Sequence, residues 1–177
     1  MFILRMSLLV LVCLGLSGAA FAEELKPDSN DWKNVLNTVI KKAEKAALAD
    51  ADAWLKLLDE GKFAESYAAA SGFLKGKVTN DKWKTDIAEA IKPYGRTESR
   101  KNLGCMFSTR LPGMPDGDYV MLHFECVHSS GKAAVENVTM LLEDGKWKAA
   151  GYYIAPAGFM GMPEKAPSPV RSKTPAK

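Results

Sequence analysis

The feature that most constrains this chain is a change of hydrophobic period at Gly95. Before it, apolar residues recur at three- and four-residue steps; after it, they alternate. A chain that is helical first and extended second keeps its helices and strands apart in sequence. Such chains bury their apolar surfaces by laying helices on an antiparallel sheet. The expected fold class is α+β, with N-terminal helices packed on one face of a curved four-stranded antiparallel meander sheet.

In the helical half, Asn30 or Asp31 is placed to cap a helix. Trp32, Val35, Leu36, Val39, Ile40, Ala43 and Ala47 follow in phase, and the phase continues through Ala51, Trp54, Leu55 and Leu58. Two readings stay open: one helix of about 30 residues ending at Glu60, or two helices meeting near Asp50-Ala51-Asp52. Gly61 suits the position just past a helix end. Lys62 to Ala70 predicts a short helix closed by Ser71-Gly72, and Phe73, Leu74 and Val78 an apolar connector. Thr79, Asn80 or Asp81 caps a further helix carrying Trp83, Ile87 and Ile91, which Pro93 stops.

Four strands are expected: one ending in Cys105 to Leu111, then Tyr119 to His128, Ala133 to Leu142 and Trp147 to Ile154. Asp144-Gly145 between the last two is a strong hairpin signal, because both residues tolerate the positive φ of a type I′ turn. It sets Leu142 opposite Trp147, Met140 opposite Ala149 and Val138 opposite Gly151. For the first two strands, placing Cys105 opposite Cys126 also puts Phe107 opposite Phe124, Thr109 opposite Leu122 and Leu111 opposite Val120. One face then becomes strongly apolar, and a slip of one residue destroys the pattern. The connecting loop is Pro112 to Asp118.

The termini read differently from the middle. Arg5 and the apolar run Ser7 to Leu16, followed by Ala20-Phe21-Ala22, form a secretory signal peptide with cleavage after Ala22. The run is too short to span a bilayer, which takes roughly 20 residues, and no later segment supplies a transmembrane helix. From Pro156 the chain is Pro, Gly, Met, Ser, Ala and Lys, a composition that reads as a disordered tail. The expected organisation is a signal peptide over 1–22, a helical extension over 23–52, one α+β domain over 53–155 and the tail over 156–177. With 24 Lys+Arg against 21 Asp+Glu, and much of the basic excess in that tail, the folded part is near neutral; no nucleic-acid partner is expected. Cys13 leaves with the signal. The remaining pair, Cys105 and Cys126, in an oxidising secreted or periplasmic compartment, predicts a disulfide.

Residues 53–154 carry a resemblance. The stretches Ala53-Trp54-Leu55-Lys56-Leu57-Leu58-Asp59-Glu60-Gly61-Lys62-Phe63-Ala64-Glu65-Ser66, Leu111-Pro112-Gly113-Met114-Pro115-Asp116-Gly117-Asp118-Tyr119-Val120, Asp144-Gly145-Lys146-Trp147 and Gly151-Tyr152-Tyr153-Ile154 resemble the domain of unknown function 4019 family. The opening stretch is also similar to the wider nuclear-transport-factor-2-like (or cystatin-like) α+β group, which implies helices and sheet enclosing a pocket. The family has no established activity, so the resemblance transfers no catalytic residue.

Among candidate residues, Trp32, Trp54, Tyr67, Trp83, Trp147 and Tyr153 can line a pocket, and His123 sits on the polar sheet face with Tyr119, Glu125 and Ser108. Indoles in phase with their own elements are first of all core residues. A Ser108-His123-Glu125 triad lacks a nucleophile elbow or oxyanion hole and is set aside in favour of a polar surface. Tyr152 and Tyr153 point to opposite faces, so only one enters the core. Asp52 and Asp59 are candidate pocket acids. Two histidines and two cysteines at no recognised ligand spacing predict no metal site, and no cofactor is expected. The leading expectation is a secreted or periplasmic non-enzymatic binding or interaction module. The alternatives are a pocket protein for a small apolar ligand, with cyclase- or isomerase-like chemistry, and an accessory subunit docking through its sheet face on a protein partner or as a homodimer.

Overall fold

The computed structural model describes residues 31–157. The expected signal peptide and the tail beyond Ala157 lie outside the described residues. Two compact units divide at residue 38. The described part of the first is residues 31–37, the opening turns of a helix; the second holds everything that follows.

The order is four helices, then four strands. Helix α1, Asp31–Asp59, is a single continuous helix, which settles the choice at Asp50. Helices α2, Phe63–Ala69, and α4, Asn80–Ile91, fall where the periodicity puts them. The Thr79 hydroxyl caps α4 by accepting from the Lys82 N–H at 3.3 Å. The expected connector after Ser71 is instead helix α3, Gly72–Lys77. Its two glycines hide it from propensity arguments. Tertiary contacts hold it: Ser71 N–H donates to Ala149 O at 2.9 Å, Ser71 Oγ accepts from Leu74 N–H at 3.1 Å, and Gly72 N–H donates to the Glu143 carboxylate at 2.9 Å.

Strands β1, Thr97–Ser108, β2, Tyr119–His128, β3, Ala133–Glu143, and β4, Lys146–Pro156, form an antiparallel meander in sequence order. Helices pack on one face of this sheet. The core there joins Ala51, Trp54, Leu55 and Leu58 of α1, Leu74, Trp83 and Ile87 of the shorter helices, and Val120, Leu122, Phe124, Val138 and Met140 of the sheet. The β3–β4 hairpin turns through Asp144 at φ 53° and Gly145 at φ 75°, as the Asp-Gly signal requires.

Two registers differ from expectation. Cys105 pairs with Leu122 and Phe107 with Val120, each four residues from the partner assigned by alternation. The strand ends at Ser108 because Leu111 and Met114 leave it to pack on Tyr119, Leu141 and Ala150 in a second cluster on the opposite sheet face. The connection is therefore longer than Pro112 to Asp118, and the ladder slides. The expected disulfide fails with it. Cys126 pairs with Arg100, and both cysteines are free, Cys105 exposed and Cys126 buried. Four residues separate them along the ladder, about 13 Å of strand, well beyond disulfide reach.

Irregularities in β1 and β4 do the rest. The β1–β2 register shifts by one residue between Asn102 and Gly104, leaving Leu103 unpaired. Residues 100 and 105 are an odd number apart and would face opposite sides of a regular strand; the bulge brings Arg100 to the helix face. The β3–β4 register shifts in the same way between Thr139 and Met140, leaving Ala150 as the extra residue. Val138 thus pairs with Tyr152 rather than with Gly151, and Tyr152 turns inward.

Candidate functional site

The helix-facing layer brings together groups that the sequence scatters over five elements. Arg100 lies on β1, Cys126 and His128 on β2, Glu136 on β3 and Tyr152 on β4, with Asp59 at the end of α1. Arg100 Nε donates to Glu136 Oε2 at 2.6 Å. Its two terminal nitrogens donate to the two Asp59 carboxylate oxygens at 2.9 Å each, a bidentate pair. The Tyr152 hydroxyl donates to Glu136 Oε1 at 3.0 Å. Glu136 and His128 are buried, at 2% and 1% exposure. Both ring nitrogens of His128 lack a hydrogen-bond partner; its ring stacks on Tyr94 with centroids 5.2 Å apart.

The electrostatics follow from burial. Burial and the neighbouring Glu136 charge push the Cys126 thiol well above its ordinary range, so it is a neutral thiol. Burial, with Glu136 beside it, raises the Tyr152 hydroxyl in the same sense. Burial lowers His128, against the opposing pull of Glu136, and keeps the imidazole neutral at pH 7. Burial works against the Arg100 charge, but the hydrogen bonds to Asp59 and Glu136 outweigh it and hold the guanidinium charged. One cation thus faces two carboxylates, a formal sum of −1. The carboxylate, thiol and imidazole of Glu136, Cys126 and His128 offer ligating atoms within 4.8 Å of one another.

The residues singled out from sequence fall into two groups. Trp54, Trp83 and Tyr67 join in the helical layer, and Trp147 on β4 belongs to the same core. Trp54 Nε1 donates to Ser66 O at 2.9 Å, Trp83 Nε1 to Ser66 Oγ at 3.0 Å, and the Tyr67 hydroxyl to Val78 O at 3.0 Å. The indoles of Trp54 and Trp83 lie 5.9 Å apart. These side chains pack between helices and sheet, and Trp54 and Trp147 also line a groove with Asp50, Leu57 and Met140. Grooves remain at the surface, for example the one lined by Val78, Trp83, Ile87, Tyr152 and Ile154.

His123 and Tyr153 lie on the opposite, open sheet face. They flank Asn137 in one cross-strand row, Gly104–His123–Asn137–Tyr153, with His123 Nδ1 against Asn137 Oδ1. Tyr153 is half exposed; the β4 bulge sends Tyr152 to the interior in its place. Ser108 pairs with Tyr119 and its hydroxyl donates to Arg110 O at 2.6 Å, so the Ser108-His123-Glu125 triad is not assembled. Asp52 and Asp59 both lie on the exposed side of α1, but Asp59 reaches the cluster through its bidentate pair with Arg100.

The sequence reading missed His128, Glu136, Arg100, Tyr152 and Ser66 as site residues. Two of them left a signal. The alternation that puts Val120, Leu122, Phe124 and Cys126 inside continues to His128, and that of Val138 and Met140 runs back to Glu136. Arg100 and Tyr152 left none, because a bulge reverses the parity of each. Among the described residues, no helix is long and apolar enough to cross a membrane. The family model described as "Protein of unknown function (DUF4019)" matches residues 50–152, and no curated protein matches the chain.

Proposed function

The chain belongs to the DUF4019 family, and from that premise we propose that it is an exported, non-enzymatic interaction module whose protein partner seats on the apolar face of α1. One observation carries this reading. Trp32, Val35, Leu36 and Val39 stand at i, i+3, i+4 and i+7 of α1 and are 47–58% exposed. Four large apolar side chains in one helical stripe are the pattern by which a helix enters a groove on a partner. The non-enzymatic part rests on the packing of Trp54, Trp83 and Trp147 between helices and sheet and on a polar cluster in which Arg100, Asp59 and Glu136 are paired with each other. The exported part rests on the apolar run before Ala20-Phe21-Ala22.

The test is affinity capture of the full chain from its own envelope, read by native mass spectrometry, beside a Leu36→Glu/Val39→Glu variant. Both positions are exposed, so circular dichroism and the thermal midpoint of the variant should match the parent. The parent is expected to begin at Glu23 by N-terminal sequencing and to hold a protein in fixed stoichiometry that the variant loses. Equal capture by both chains overturns the reading, as does a parent that stays in the membrane fraction with Met1 retained. A doubled mass that the variant returns to monomer identifies the partner as a second copy.

A further inference from the structure

Cys126 and His128 are two residues apart on β2 and so share a face of the sheet. Glu136 reaches the same face from β3, where it pairs with Phe124, while Ala134 pairs with Cys126. The sulfur, an imidazole nitrogen and a carboxylate oxygen converge within 4.8 Å of one another. The three residues are 0%, 1% and 2% exposed. Buried polar groups almost always find partners, yet neither nitrogen of His128 has one. An imidazole in that condition, beside a thiol and a carboxylate, lacks an electrophile.

The donor atoms around it indicate which one. The groups that face this space are Asp59 from α1, Tyr94 from the turn after α4, Arg100 from β1, Cys126 and His128 from β2, Glu136 from β3 and Tyr152 from β4. With one guanidinium and two carboxylates charged, they sum to −1. Sulfur, nitrogen and oxygen donors together suit a borderline divalent ion that accepts all three, which is the chemistry of zinc.

We propose that Cys126, His128 and Glu136 form a zinc site, with the Cys126 thiolate, one ring nitrogen of His128 and one carboxylate oxygen of Glu136 as ligands. Arg100 and Tyr152, each hydrogen-bonded to a different oxygen of Glu136, orient that carboxylate from outside the ligand set. Arg100 lies on an edge strand between two register shifts, at Thr97/Ser99 and Asn102/Gly104. Ligand counting by sequence spacing overlooks the set because Glu136 comes from the neighbouring strand.

The full exported chain, stripped with a chelator, is titrated with zinc chloride against a chromophoric competitor in buffers of different protonation enthalpy, and in parallel with cobalt(II). The expected result is one zinc per chain, one proton released per ion and a thiolate-to-cobalt charge-transfer band. His128→Gln and Cys126→Ser are each expected to weaken zinc binding more than about 100-fold, since loss of outer-shell partners alone costs 10–100-fold. Cys105→Ser, which changes the exposed thiol, should leave it unaltered. A parent chain without the cobalt–thiolate band overturns the proposal, and so does stoichiometric zinc retained by His128→Gln. If Cys126→Ser does not fold, those two readings decide the matter by themselves.

Discussion

The buried layer between helices and sheet holds two groups of polar atoms, and Tyr152 stands at the seam between them. Its ring packs on Trp54 at 5.9 Å, and its hydroxyl binds Glu136. On the helical side, polar hydrogens are few and matched. The two indole N–H groups end on the main-chain oxygen and the hydroxyl of one residue, Ser66, and that hydroxyl in turn donates to Phe63 O at 2.8 Å. On the β1 side the matching is incomplete. Three charged groups do not cancel, a thiol is held neutral, and an imidazole has no partner. The first arrangement costs little and does nothing but hold α1, α2 and α4 together. The second is expensive to fold, because a buried carboxylate and an unpartnered imidazole have both left water.

Breaking the charged side should produce the largest effect. Arg100→Met leaves Glu136, almost fully buried, without its cation, and is expected to cost about 3–5 kcal/mol in a urea unfolding curve. Replacing Glu136 by Met as well should recover most of that loss, because the pair is then exchanged for apolar volume. A loss below about 1 kcal/mol for the single change would mean that Glu136 is not held as a buried ion.

The matched side should be less sensitive. Ser66→Ala removes the acceptor of the Trp83 indole but keeps the main-chain acceptor of Trp54, leaving one buried donor unpaired at about 1–3 kcal/mol. Trp83 fluorescence should shift with its changed surroundings. A change equal to that of Arg100→Met would erase the contrast between the two sides.

The smallest effect is a slope. Burial holds the His128 imidazole below its ordinary value of about 6.5, so the unfolded chain takes up a proton there before the native state does. Its contribution is complete above about pH 6.5 and is lost as the pH falls toward the lowered native value. In chelator, the urea midpoint of the parent should decline from about pH 7 to about pH 5. In His128→Phe the decline should flatten; an unchanged slope would assign it to other groups.

Much of the fold was legible because its signals are local. Helical phase marked α1, α2 and α4, alternation marked β2 and β3, and Asp144-Gly145 marked the hairpin. Of the indoles placed in the core, Trp54, Trp83 and Trp147 are buried there but Trp32 is exposed, because only the later turns of α1 reach the sheet, and Tyr152 rather than Tyr153 takes the inward position. The buried cluster was half legible. Alternation points His128 and Glu136 inward, but nothing in the sequence shows that Arg100 and Asp59 meet them.

The sequence by itself determined which segments are helical, which are extended, where the chain turns, and that helices lie on one face of a meander. These follow from backbone preferences and from periods of 3.6 and 2, which act over a few residues. Only the tertiary structure decided the β1–β2 register, the existence of α3, the separation of Cys105 from Cys126, and the convergence of Asp59, Arg100, Cys126, His128, Glu136 and Tyr152. The physical reason is parity. A slip of one residue turns every side chain over and is forbidden by the apolar face, but a slip of four leaves every side chain on its own face. Alternation cannot distinguish such registers; the packing of Leu111 and Met114 on Tyr119 selects one of them. Bulges then change parity in mid-strand, and it is through those at Leu103 and Ala150 that Arg100 and Tyr152 reach Glu136.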